Sequence, residues 1–185
     1  IEREKDPARA SILSLKLGKD KYLEMGNEEM RDFKDKINGL EFIKLLKLEC
    51  KKTEINQMFG KQLVNAVQVL EEKDQSTAFD VLSENFEKLY PVFPVIMRKA
   101  YHNLSNCEAG TREKFITKLA ELFEKNSYIV QTDNNASYAL RVLSLSDNDK
   151  TRKVIHNAYT GNINGNKESS YMRRLNAIYA MTNIR

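Results

Sequence analysis

Thr111-Arg-Glu-Lys-Phe-Ile-Thr-Lys-Leu-Ala-Glu-Leu-Phe-Glu-Lys125 reads as one amphipathic helix. Phe115, Ile116, Leu119, Leu122 and Phe123 recur at three- and four-residue steps, which puts them on one face. Lys114, Lys118, Glu121 and Lys125 fall on the other. Glu121 precedes Lys125 by four residues, the favourable order for an ion pair along a helix. Thr111 offers a capping hydroxyl in front.

The same rhythm extends in both directions. Towards the C-terminus, Ser127 to Thr132 fits either a helical or an extended segment, and Asp133-Asn134-Asn135 is a cap cluster. Tyr138, Leu140, Val142 and Leu143 follow on a short helix. Asp147 or Asp149 caps the next, with Thr151, Val154, Ile155 and Ala158 inward and Gly161 as its stop. Asn162 to Lys167 is a polar loop. The final helix spans about Glu168 to Thr182, with Tyr171, Leu175 and Ile178 expected inward.

Towards the N-terminus, Ser105 to Gly110 is a turn. Pro91 and Pro94 suit the first turn of a helix with Phe93, Ile96, Met97, Ala100 and Leu104 as its core face. Ser76 opens a helix carrying Phe79, Leu82, Phe86 and Leu89, which Tyr90-Pro91 breaks. Thr53 caps a segment with Ile55, Met58 and Phe59, continued by Leu63, Ala66, Val67 and Leu70, with a possible bend at Gly60. Leu40 to Lys52 is apolar around most of its circumference (Phe42, Ile43, Leu45, Leu46, Leu48) and should be central. Asn38-Gly39 is a stop signal. Before it lie a helix over roughly Glu28 to Ile37 and one behind Asp6-Pro7 with Ala8, Ile12, Leu15 and Tyr22 inward. Leu13-Ser-Leu15-Lys-Leu17 also alternates like a short strand.

These readings predict an all-α fold over residues 1–185, a single compact domain of about nine helices joined by short connections as antiparallel hairpins. The helix-pair rhythm resembles armadillo- or HEAT-type arrays in texture, a likeness carried by periodicity alone. Ser137-Tyr138-Ala-Leu-Arg141 and Ser170-Tyr171-Met-Arg-Arg174 share three of five positions at a spacing of 33, which suits a helix-pair repeat. A stacked array and an irregular bundle both fit.

With 185 residues, 41% apolar and 30% charged, the chain is neither disordered nor membrane-embedded in composition. Seven Gly and three Pro leave too few turns for a β-sandwich or barrel. Its longest uncharged apolar run, Leu89 to Met97, is far short of the ~20 residues a spanning helix needs. Cys50 and Cys107 match no metal or redox spacing and suit a reducing, intracellular compartment, cytoplasmic or nuclear. With no secretory signal, the acceptor patterns Asn103-Leu-Ser105 and Asn135-Ala-Ser137 are expected to be unused. Ile1 in place of methionine, and helical pattern reaching almost to Arg185, suggest a domain excised from a longer protein.

Catalytic motifs of high specificity are lacking. Gly161 to Ser169 fails as a phosphate loop, with three residues between its glycines and Asn166 before Lys167. The run from Asp147 begins like a calcium loop but has Arg152 where glycine and Ala158 where glutamate are required. His102 and Cys107 lack an orienting third group. Glu28-Glu29 and Glu71-Glu72 suit solvated helix ends. No metal, cofactor or enzymatic activity is expected.

The net charge of +4 is unevenly spread. Residues 150–185 carry seven Lys or Arg against Glu168, so the first 149 residues are net −2. Two candidate surfaces follow. Lys150, Arg152, Lys153, His156, Tyr159, Lys167, Arg173 and Arg174 form a basic, tyrosine-bearing end suited to an acidic partner or to RNA more than DNA, cations meeting phosphates and tyrosines stacking on bases. Tyr90, Val92 and Pro94 would form an apolar docking patch if left exposed. The leading expectation is a non-enzymatic interaction or scaffold domain binding a protein partner, with nucleic-acid binding at 150–185 as the alternative.

Overall fold

A computed structural model describes residues 39–55, 57–161 and 171–184, and within them every regular element is helical. The α-helices are α1 (Gly39–Lys51), α2 (Gln57–Ala66), α3 (Glu72–Glu84), α4 (Phe93–Asn103), α5 (Ala109–Glu124), α6 (Asp133–Leu143), α7 (Asp149–Thr160) and α8 (Tyr171–Thr182). Single 3₁₀ turns at Val67–Val69, Tyr90–Val92, Leu104–Asn106 and Tyr128–Val130 tighten the connections. The two helices expected before Gly39, the alternating run 13–17 and the polar loop after Gly161 lie outside the described residues.

Helix boundaries follow backbone saturation more than apolar pattern. Ser76 does not open α3; it lies in its second turn, donating to the Glu72 carbonyl at 3.0 Å. The break before α3 is fixed by buried Gln75, whose amide donates to the Leu70 carbonyl at 2.7 Å. Thr111 does not cap α5, which begins at Ala109; the Glu108 N–H there donates to Ser76 Oγ at 3.0 Å. Neither Asp147 nor Asp149 caps α7. Asn148 does, in a reciprocal box with Thr151. Ser127 to Thr132 resolves into a 3₁₀ turn whose Ile129 carbonyl accepts from buried Asn135 at 2.7 Å. Gly161 ends α7 as expected, in the left-handed region at φ 77°, where a side chain would be strained.

Packing runs between alternate helices. α1 packs on α3, α3 on α5 and α5 on α7; α2 packs on α4, α4 on α6 and α6 on α8. The two rows share one apolar core and meet closely where α8 lies against both α6 and α7. α1, expected to be central, is the first described helix of its row, with Phe42, Ile43, Leu45 and Leu46 buried and Leu48 59% exposed. Midway along, Phe115 of α5 meets Phe79 of α3 edge-on at 5.7 Å and Phe86 at 5.1 Å, and Phe86 meets Phe93 of α4 at 5.6 Å. All four rings are buried.

Phe115→Ala should lower the unfolding free energy by about 3–5 kcal/mol in a urea titration, because the packed rings of Phe79 and Phe86 lose their common neighbour. Burial pushes the Cys50 thiol up to about 11 from 9.0, with the Glu49 carboxylate adding to the shift. The unfolded thiol ionises first on raising the pH. Its contribution to stability is therefore intact below about pH 9 and lost towards about pH 11. Cys50→Ala should flatten that part of the stability profile.

Candidate functional site

The basic end divides into cations used within the fold and cations left to solvent. Lys150 reaches across to α5, 3.3 Å from Glu124 and 3.8 Å from Glu121. Arg152 grips Asp147 with both of its donors, Nε at 2.5 Å and an Nη at 2.7 Å. That grip holds the Asp147 carboxyl below its ordinary value. Arg173 is drawn in from α8, donating to the carbonyls of Val130 at 3.2 Å and Gln131 at 2.7 Å, with Asp133 3.9 Å away. Lys153, His156, Tyr159 and Arg174 are exposed. Lys167 lies outside the described residues. The eight residues are therefore not one free basic face among the described residues.

The apolar patch expected at Tyr90, Val92 and Pro94 does not form. Val92 is completely buried, because the 3₁₀ turn carrying it is pressed against α2, and Pro94 is half-buried. Tyr90 is at the surface, edge-on to Tyr128 at 5.2 Å. Of the three, Val92 belongs to the core and Tyr90 stays at the surface.

A polar cavity of about 660 Å³ includes His102, Ser105, Arg112, Glu113 and Asp147 in its lining. His102 stands edge-on to Tyr101 at 5.3 Å and makes no side-chain hydrogen bond among the described residues. Cys107 instead donates to the Asn103 carbonyl at 3.6 Å, and burial raises its thiol. Asp147 is committed to Arg152, and Glu113 accepts from Asn148 at 3.4 Å. No group of three or more His, Cys, Asp or Glu among the described residues is placed to hold a metal ion, and no helix there is long and apolar enough to cross a membrane.

The surface that the apolar pattern misassigned is α8. Tyr171, Leu175 and Ile178 were expected in the core; they face outward at 77%, 44% and 42% exposure. Met172, Tyr179 and Met181 are exposed as well. The buried side is Asn176, Ala177 and Ala180. Small side chains let α8 lie close against its neighbours, since interaxial distance is set by the residues at the contact. Asn176 anchors it, donating to Ser137 of α6 at 2.9 Å and to the Met172 carbonyl at 2.7 Å. Two alanines at 177 and 180, beside Asn176, are the sequence signal for this orientation, and it is outweighed on paper by the larger residues opposite.

Between α6 and α8 runs a groove of about 780 Å³, floored by Ser137, Tyr138 and Asn176 and walled by Met172, Leu175, Ile178 and Tyr179. The Arg141 guanidinium stands over the Tyr179 ring, 5.2 Å from its centre. Covering what remains exposed of Leu175 and Ile178 is worth roughly 1 kcal/mol each, so occupancy would need the whole strip and not one residue. The groove thus presents an exposed apolar strip with the Arg141 guanidinium beside it.

No family model, curated protein or solved structure matches the chain.

Proposed function

We propose that this is a non-enzymatic interaction domain that binds a protein partner through α8 and the groove beside it. The observation that carries this reading is the outward apolar strip of α8, larger in side-chain volume than the face the helix buries. Apolar strips of this kind on a folded surface mark contact sites more often than isolated exposed residues do. We also read the helices as stacked hairpins of the HEAT or armadillo kind. Packing between alternate helices supports this, because stacked repeats bury each helix against its counterpart in the next unit. An end unit of such a stack has one uncovered face, which is where α8 sits among the described helices.

Leu175→Asp with Ile178→Asp should abolish capture of the partner in an affinity experiment while leaving the melting curve within a few degrees of the parent. Unchanged capture by the folded double variant would refute the use of this face.

The alternative is nucleic acid at 150–185. Among the described residues, Lys153 and Arg174 are its exposed Lys or Arg residues without a carboxylate partner, with Tyr159 for stacking. Two phosphate contacts would weaken single-stranded RNA binding only about 7-fold between about 50 and 200 mM salt, against roughly 100-fold for five. Fluorescence anisotropy should give the shallow slope or no binding. A steep slope that Lys153→Glu with Arg174→Glu abolishes would favour the RNA reading instead.

A further inference from the structure

We propose that the occupant of the α6–α8 groove is an amphipathic helix of about three turns whose apolar stripe is flanked by acidic residues. This rests on the protein-binding reading above and specifies its partner. Three features of the groove lead there.

The first is shape. The α8 residues that line the groove run from Met172 to Thr182, about 15 Å at the rise of an α-helix. A groove between two helices is a shape that accepts a third helix lying along it. The described residues contain no strand, so no sheet edge offers itself to an extended peptide.

The second is the placement of charge. Helical spacing puts Arg174 on one side of the Tyr171, Leu175 and Ile178 strip and Tyr179, with Arg141 over it, on the other. Neither guanidinium has a carboxylate partner among the described residues. The apolar strip thus lies between two cations with unused donors, and glutamates on both shoulders of an incoming helix would meet them.

The third argues against a second copy of this chain. α8 contains no acidic residue. The one carboxylate lining the groove, Asp133, already faces Arg173. A two-fold contact through this face would set Arg141 and Arg174 of each copy against a groove whose one carboxylate among the described residues, Asp133, already lies beside Arg173.

The test uses the 185-residue chain and two fluorescein-labelled synthetic helices of about 14 residues, a length set by the strip. Both hold a central stretch of about 11 residues, three turns, that matches the strip, with leucines at i, i+3, i+4 and i+7 spacing; one has glutamates on its shoulders, the other lysines. The glutamate helix should bind at least about tenfold more tightly at low salt, and the gap should narrow as salt rises. Leu175→Asp should weaken its binding at least tenfold. Arg141→Glu with Arg174→Glu, both at exposed positions, should reverse the preference between the two helices. Circular dichroism melting of each variant separates lost binding from lost fold, and the charge-reversal pair keeps the test decisive if Leu175→Asp disturbs the helix. Equal binding of both helices would overturn the acidic specification and leave the protein-binding reading standing. Binding of neither would overturn the proposal; if partner capture is also unaffected by the α8 variants, the wider reading falls with it. Sedimentation equilibrium supplies the remaining outcome: a concentration-dependent dimer lost in Leu175→Asp would overturn the proposal in favour of a second copy.

Discussion

The edge-to-face contacts of Phe115 with Phe79 and Phe86 hold the architecture together, because they join elements that the chain order keeps apart. Phe79 lies in α3 and Phe115 in α5, so the ring contact fixes the spacing of one row. Phe86 follows α3 and touches Phe93 at the start of α4, which ties that row to the other. Aromatic rings have the area to bridge such distances and a quadrupole that favours this perpendicular arrangement. Once α3, α4 and α5 are set, α6 is held by α4 and α7 by α5. The position of α8 then follows, because it packs on both.

Apolar burial sets which faces meet, while buried amides and hydroxyls set where helices stop. Gln75, Asn135 and Asn148 each occupy a junction and bond to backbone groups that the turns leave unsatisfied. An amide can donate to a carbonyl and accept from an N–H, which a carboxylate cannot do. Asn148 caps α7 by accepting from the Thr151 N–H, and its amide also donates to Ser146 Oγ and Glu113, which a carboxylate there could not do. Asp147 is used differently, as the partner of Arg152.

These facts divide what could be read on paper from what could not. The all-helical class and the inward faces of α4, α5 and α7 were legible, because each has a single apolar stripe at helical spacing and a polar opposite face. The start of α3 at Glu72, and of α5 at Ala109, was not. The α5 boundary involves a bond between residues 32 apart, Ser76 and Glu108, which no local window contains, and the α3 boundary rests on a buried Gln75 amide that no apolar pattern marks. The α8 orientation was misjudged for a related reason. A periodic pattern marks an apolar face without saying whether that face meets the core, and here two alanines win the core position by allowing close approach. The patch at Tyr90, Val92 and Pro94 failed because proline at a helix junction marks a turn, and this turn is pressed against α2.

The basic end is where charge counting and structure part most clearly. Seven cations in a short stretch invite a phosphate-binding reading, yet Lys150, Arg152 and Arg173 meet carboxylates or carbonyls of the same fold. Arg173 has a consequence beyond neutralisation. Its guanidinium ties α8 to the carbonyls that end the 3₁₀ turn before α6, so both walls of the groove are fixed relative to each other. Asn176 adds a second tie to α6, through Ser137. A surface held from both sides needs little ordering when a partner arrives, and less of the contact energy is lost to conformational entropy. On the proposed reading, the buried polar groups of α8 act on binding through geometry and its exposed apolar residues through contact. The charges that would then select a partner are Arg141 and Arg174, which have no carboxylate partner among the described residues.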